Sequence, residues 1–406
     1  MGTNGAQFSG FKPFYQFASA TRVIAGVDLI ESTGFELAKE GAERPLIVTD
    51  EVIRETGLVD TVAAGVTGGG LEVAGTFDAV PQDSDTEVVA RCAEAARDAG
   101  ADSFLAVGGG SVMDTAKAAN VLFTHGGTVR DWEGILTLPR DRDGLGKPLP
   151  LAPLGAIPTT AGTGSEASFA AVVKDRSEGL KVEIADIALF PRLAILDPAA
   201  TATLPTPIAA STGMDALTHA IEGYVSTEWN PHADAFALQA IRMIRDNLER
   251  AVADTGDDEA RGNMLVAACL AIQPSGSGAI GATHSMSHPC GGQYGVPHGV
   301  ANAINLPWVI EYNAAGGEEI ADRYRVISEV MDVGSGGAGT KVGKALADEV
   351  RALTGRLGLP RRLSEVGVPE DGIPRLVEGA MGDGCTLVNT REPTEEDFAE
   401  LYRKAL

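Results

Sequence analysis

The chain holds six histidines, and three of them, His284, His288 and His298, fall in one stretch, GATHSMSHPCGGQYGVPHG at 281–299. His284 and His288 are four apart and share a face on a helix, before Pro-Cys-Gly-Gly breaks the pattern. Upstream, GMDALTHAIEGY (213–224) sets Asp215 and His219 four apart in a strongly helical pattern. A carboxylate and an imidazole therefore project from one side. One such pair alone is better explained as a hydrogen-bonded pair on a core helix. Taken together, Asp215, His219, His284 and His298 offer one carboxylate and three imidazoles. That mixed nitrogen and oxygen donor set suits a divalent transition metal such as iron or zinc, and the metal reading is preferred.

A second chemistry is suggested by GGGSVMD at 108–114. Three glycines at a strand's end, followed by a helix start, let backbone N–H groups approach a phosphate at the positive end of a helix dipole. The pattern is not G-x-G-x-x-G, and no acid follows about twenty residues on at a strand end, so an ordinary Rossmann fingerprint fits poorly. The candidate ribose-binding acid, Asp50 in IVTD, precedes the glycines instead. The loop IPTTAGTGSE (157–166) adds the hydroxyls of Thr159, Thr160, Thr163 and Ser165, which suit an adenine or ribose pocket. Taken singly, each loop is also a plain turn: a tight strand-to-helix turn, and a polar loop satisfying its own backbone.

The elements that must position these residues fall into two groups. Short apolar runs alternate with helical patterns through the first half: RPLIVTD (44–50), LEVAGTF (71–77) and DSFLAVGGG (102–110) read as strands. DTEVVARCAEAARDAGA (85–101), closed by Gly100, and SVMDTAKAANVLF (111–123) read as helices. LAILDP (193–198) is the last convincing strand. Strand–helix–strand repetition implies a parallel sheet covered on both faces. From Pro198 onward the patterns are long and helical, ending in TEEDFAELYRKAL with its acidic start and basic end. The expected division is an α/β dinucleotide-binding domain at 1–197 and an all-helical metal-binding and catalytic domain at 198–406.

Composition narrows the partners. The 406 residues carry 56 Asp and Glu against 32 Lys and Arg, a net charge of −24 spread along the chain. Such a surface repels nucleic acid and anionic membranes, and it suits a cytoplasm of high salt, which screens the self-repulsion. Four scattered cysteines without a C-x-x-C pair read as reduced thiols. No secretory signal and no run of about 20 apolar residues is present, so a cytoplasmic protein is expected. His125 and His232 read as surface or loop histidines.

At this point the motifs carry a resemblance. AVGGGSVMDTAKA, IPTTAGTGSEAS, GMDALTHAIEGY and HSMSHPCGGQYGVPHGVANAINLPWVIEYN, in this order, resemble the iron-containing (group III) alcohol dehydrogenase family. The likeness runs nearly end to end, from TRVIAG (21–26) to EEDFAELYRKAL. It implies an N-terminal α/β domain that binds NAD(P), a helical domain that holds the metal in the cleft between them, and the architecture shared with dehydroquinate synthase. It further implies that Asp215, His219, His284 and His298 ligate Fe(II), or Zn(II), with His288 a nearby non-ligand placed for proton relay. Gly109, Gly110, Ser111 and Asp114 fall on its pyrophosphate loop. Thr159, Thr160 and Thr163 fall on its adenine-side loop, and Lys181 on the lysine that contacts the nicotinamide ribose. Asp50 matches the acid that accepts the adenosine ribose hydroxyls, which favours NAD over NADP. At least a homodimer is expected by the same analogy.

The chemistry that follows is hydride transfer between an alcohol and the nicotinamide C4, with aldehyde or ketone reduction in reverse. No covalent nucleophile is needed, and Cys290 is expected to be a small buried thiol. Glycerol dehydrogenase, maleylacetate reductase and a dehydroquinate synthase-like lyase share the architecture. Scarce lysine around the metal motifs speaks against the lyase, and the intact four-ligand set against maleylacetate reductase. A non-catalytic structural relative is the reading from another class, and it is opposed by the intact motifs.

Overall fold

The computed structural model describes residues 14–141, 146–178, 180–274, 280–334 and 337–406. Two compact units emerge: Ala18–Leu204, and Pro205–Leu406 joined by the described residues up to Phe17.

In the first unit six strands form one parallel sheet in the order β1-β9-β6-β4-β2-β3. They are β1 (Arg22–Ala25), β2 (Pro45–Val48), β3 (Gly75–Phe77), β4 (Ser103–Gly108), β6 (Leu154–Pro158) and β9 (Leu193–Leu196). A smaller sheet, β5-β8-β7, joins β5 (Gly134–Ile135), β8 (Leu180–Ala185) and β7 (Ala170–Asp175), the last pair antiparallel. The helices are α1 (Thr33–Ala38), α2 (Glu51–Glu55), α3 (Leu58–Gly68), α4 (Thr86–Asp98) and α5 (Gly110–His125). Every residue of β4 is buried, and its side chains divide by the strand's period of two. Phe104 and Ala106 join Val88, Val89, Cys92 and Met113 on the α4 and α5 face, while Leu105 and Val107 join Leu37, Val62 and Val66 on the α1 and α3 face. Helices on both faces are what continuous apolar strands require.

Two local expectations need correction. LEVAGTF contributes only Gly75–Phe77 as strand, because the chain is still turning out of α3, with Leu71 N–H on the Val66 carbonyl. His125 is the last residue of α5, not a loop residue, and its Nε2 is buried.

The second unit is helical: α6 (Thr206–Val225), α7 (Pro231–Ala253), α8 (Asp258–Ile272), α9 (Ala282–Tyr294), α10 (His298–Ala314), α11 (Glu318–Val330), α12 (Gly339–Arg356), α13 (Ile373–Met381) and α14 (Glu395–Ala405). Asn230 caps α7 through its side chain, and Thr394 with Asp397 forms a capping box on α14. Pro-Cys-Gly-Gly does not break α9, which runs on through Pro289 to Tyr294. Burial overrides the local penalty there: Cys290 has no exposed surface, and a Cβ on Gly379 of α13 would sit 2.7 Å from the Pro289 ring. His298 is the first residue of α10. Among the described residues no helix is long and apolar enough to cross a membrane.

Candidate metal centre and dinucleotide edge

Three helices build the polar centre of the second unit. Asp215, His219 and Glu222 stand on α6 at i, i+4 and i+7, one face of the helix. His284 and His288 stand on α9, and His298 with Asn302 on α10. The start of α10 lies against α6 so closely that a Cβ on Gly299 would be 2.2 Å from the Ser211 carbonyl oxygen. Only glycine permits that approach, and it carries His298 to Asp215.

One ligand atom each from Asp215, His284 and His298 lies within 4.8 Å of the other two. Asp215 Oδ1 is 3.4 Å from His298 Nε2 and 3.8 Å from both His284 Nε2 and His219 Nδ1. The His219 and His284 rings are 4.6 Å apart between centroids. His219 Nδ1 is buried and makes no hydrogen bond. Asn302 places its Nδ2 at 2.7 Å from Asp215 Oδ1, 3.3 Å from His284 Nε2 and 3.2 Å from His298 Nε2. Two amide protons cannot serve three acceptors. Convergent lone pairs on a buried carboxylate and imidazoles are what a divalent cation satisfies, so the donor set fits one.

Glu222 was not anticipated, although its i+7 spacing from Asp215 was readable. Its Oε2 takes His284 Nδ1 at 2.6 Å and Gly281 N–H at 2.8 Å, while Oε1 takes Thr283 N–H at 2.6 Å. The carboxylate thus caps α9 and fixes the ring that α9 presents. A cation that takes Nε2 would leave the proton on Nδ1 toward Glu222, the usual carboxylate–histidine support of a metal ligand. Burial opposes a charged His284, yet Glu222 and Asp215 outweigh it and raise its pKa to about 9. Burial lowers His219 to about 4. Burial also opposes the charge on Asp215, but the surrounding imidazoles hold its carboxyl well below the usual range. His288 stacks on His298, with ring centroids 5.4 Å apart, and its Nδ1 meets Asp383 Oδ2 at 2.6 Å. Asp383 carried no recognisable spacing in the sequence.

In the first unit, β2, β4 and β6 are parallel neighbours, so their carboxyl ends share one edge. The chain leaves β2 for β3 on one side and β4 for β6 on the other. That is a topological switch point, where open α/β sheets bind ligands. Gly109, Gly110 and Ser111 follow β4, Thr159, Thr160 and Thr163 follow β6, and Asp50 follows β2. Helix α5 starts there without a side-chain cap. A Cβ on Gly110 would lie 2.8 Å from Thr163 Cγ2, and one on Gly109 3.4 Å from Thr160. This bare, positive helix end framed by hydroxyls fits a pyrophosphate.

Asp50 Oδ1 accepts the Ile53 N–H at 2.8 Å, capping α2. Asp114 is engaged inside the unit, Oδ1 by Ser165 Oγ at 2.7 Å and Oδ2 by Val172 N–H at 3.1 Å. Burial raises its pKa, against the opposing pull of Lys117, and Lys181 is near enough to act in the same sense as Lys117. Beneath the edge lies a network absent from the sequence reading. The fully buried Lys117 ammonium donates to Ser165 Oγ, Ser168 Oγ and the Ala170 carbonyl, each at 2.9 Å. Burial lowers Lys117 to about 8 and raises Glu166 to about 7.

Comparison with known proteins bears on both units. Residues 20–198 match the profile described as iron-containing alcohol dehydrogenase, and residues 209–406 that of the C-terminal part of the Fe-containing alcohol dehydrogenase family. The NAD-dependent methanol dehydrogenase of Bacillus methanolicus is 35% identical over 386 residues, 94% of this chain and 97% of that one. The 1,3-propanediol dehydrogenase of Citrobacter freundii is 37% identical over 385 residues, 94% and 96% of the two chains. A crystal structure of 1,3-propanediol oxidoreductase superposes with a TM-score of 0.91 at 33% identity, covering 97% of this chain and all of that one.

Proposed function

The chain belongs to the iron-containing alcohol dehydrogenase family and is an oxidoreductase of alcohols and aldehydes, and on that premise we propose how its own residues divide the work. Asp215, His219, His284 and His298 hold Fe(II), with Zn(II) the alternative cation. The switch-point edge holds NAD(H) in preference to NADP(H). The observation that carries this reading is the convergence of Asp215, His284 and His298 within 4.8 Å, backed by the Glu222–His284 contact. When bound, the cation lends Lewis acidity to the substrate oxygen and the nicotinamide exchanges the hydride.

The remaining work falls to side chains. Asp215 lowers the net charge of the cation site, and Glu222 locks the His284 tautomer. Asn302 holds Asp215 Oδ1 by its amide. His288 moves the hydroxyl proton: Asp383 holds the proton on its Nδ1, which leaves Nε2 as the basic atom. Gly109, Gly110 and Ser111 receive the pyrophosphate on backbone N–H groups. Thr159, Thr160 and Thr163 bound the adenine side, while Asp114 and Lys117 hold the Ser165 segment in register. Lys181 takes the nicotinamide ribose, and Asp50 takes the adenosine ribose and disfavours a 2′-phosphate. The dinucleotide work falls to the unit Ala18–Leu204 and the catalytic work to the unit that holds Pro205–Leu406, in place of the expected division at 197/198. The net charge of −24 supports a salt-adapted, cytoplasmic chain, and a homo-oligomer follows from the family resemblance.

The experiment is anaerobic loading of metal-stripped protein with Fe(II) or Zn(II), followed at the NADH absorbance with short alcohols and aldehydes. One metal per chain with turnover supports the reading. Metal binding without turnover on any of them moves the search to other substrates or to the lyase relative, and absence of both metal and cofactor binding overturns the reading.

A further inference from the structure

A second set of ligand-type side chains lies beside the first. One ligand atom each from His288, Asp383 and Cys385 falls within 4.8 Å of the other two. Asp383 is the hub: Oδ2 meets His288 Nδ1 at 2.6 Å, Oδ1 accepts the Cys385 N–H at 2.9 Å, and the Cys385 thiol also donates to this carboxylate. Asp383 caps the short turn Gly384–Val388. Thr386 ties that turn to α9 through Ser285 Oγ at 2.9 Å and to the Ala380 carbonyl at 2.8 Å. Asp383 and Cys385, two residues apart on a capped turn, therefore face His288 across a fixed backbone. The three groups are held close before any ligand arrives.

We propose that His288 Nδ1, the Asp383 carboxylate and the Cys385 thiolate form a second cation site, for a soft divalent ion of the zinc class, whose occupation withdraws His288 from the Asp383 hydrogen bond. The donors differ from those of the first site in the way that sorts metals. Asp215 with imidazoles is a harder nitrogen and oxygen set, whereas a thiolate selects zinc or cadmium. Charge agrees, since carboxylate and thiolate together neutralise a divalent ion. The site is reachable as well, since the side chains of His288 and Asp383 are 25% and 16% exposed. Binding moves the His288 proton from Nδ1 to Nε2 and releases the thiol proton to solvent. No bond is oxidised or reduced.

The test is anaerobic titration of the iron-loaded full chain with Cd(II), reading the ultraviolet thiolate-to-cadmium charge transfer and the iron retained. The expected result is one thiolate-bound cadmium per chain with iron in place, displaced by Zn(II). The signal is lost in Cys385→Ser, and the affinity falls at least about tenfold in Asp383→Asn, where one ligand oxygen becomes an amide. No charge-transfer band, a band that survives Cys385→Ser, or cadmium taken up only as iron leaves would each overturn the site. A second readout rests on the dehydrogenase reading. Zinc inhibits turnover of the iron-loaded enzyme, and Cys385→Ser raises the inhibiting concentration at least about tenfold. Inhibition unchanged by that substitution overturns the link to His288. The cadmium band reads the site without any turnover, so failure of the dehydrogenase reading leaves that test intact.

Discussion

The two units solve the problem of holding a charged ligand with opposite materials. In the helical unit the candidate centre is made of side chains: a carboxylate and imidazoles, buried and fixed by second carboxylates such as Glu222 at 2.6 Å from His284 Nδ1. In the α/β unit the candidate edge is made of backbone, an uncapped helix start with threonines packed where glycine leaves room. A cation needs lone pairs that only side chains supply in that density, whereas a pyrophosphate needs N–H groups that every residue carries. The first design therefore fails by deletion of a group and the second by addition of one.

The sharpest break comes from deletion. His284→Ala removes a donor from the three that converge, and leaves Glu222 a buried carboxylate without its ring partner. We expect metal content to fall well below one per chain and kcat to drop by about 10³-fold or more, since the Lewis acid contributes several kcal/mol. Metal analysis beside NADH turnover checks this, and a variant that keeps both would show that the centre lies elsewhere. Glu222→Gln is milder. The ligands stay, but the His284 tautomer loses its anionic partner, so metal affinity should fall about 10- to 100-fold in a chelator competition. Unchanged affinity would reduce Glu222 to a cap for α9.

The edge is tested by addition. Gly110→Ala places a methyl 2.8 Å from Thr163 Cγ2 and crowds the helix start. NADH affinity, read by fluorescence titration, should weaken about tenfold, or about 1.4 kcal/mol. Adding Thr163→Ser removes the clashing methyl and should recover most of the loss. Metal content should not move in either variant. If it did, the two sites would not be separable and the contrast between them would collapse.

How much of this was readable follows the same division. The helical centre was legible because histidine is rare, six in 406 residues, and the Asp215–His219 spacing matches a helical face. Glu222 was legible in principle, three residues beyond His219, but one glutamate among many carries no mark. Asp383 was hidden, since its partner His288 lies on another element. Asn302, although four residues past His298 on α10, meets Asp215 and His284 from other helices, contacts that no local period reports. The path of α9 through Pro289 was misread for a related reason: local breakers predict an end, and burial against α13 overrules them. At the edge, glycines and threonines marked the place, while Lys117 looked like an ordinary helical lysine. Its burial depends on β7 folding over α5, which sequence spacing does not show.

That hidden network sets the smallest effect and the last test. Glu166 is 1% exposed, its Oε2 makes no hydrogen bond, and burial lifts its pKa to about 7 from an ordinary 4.5. A raised folded pKa means that the folded chain holds the proton more tightly than the unfolded one. The stability this contributes is complete below pH 4.5 and is lost as pH rises through about 7. Glu166→Gln imitates the protonated form at every pH, while Asp114 still faces Lys117. The variant should therefore match the parent at pH 4.5 and become the more stable of the two by pH 7.5. The difference is at most a few kcal/mol, because ionised Glu166 regains part of the loss by pairing with Lys117. Urea midpoints at the two pH values decide it. A parallel shift at both would mean that the carboxyl is stabilised by its surroundings, and that the backbone edge above it rests on a fully satisfied charge network.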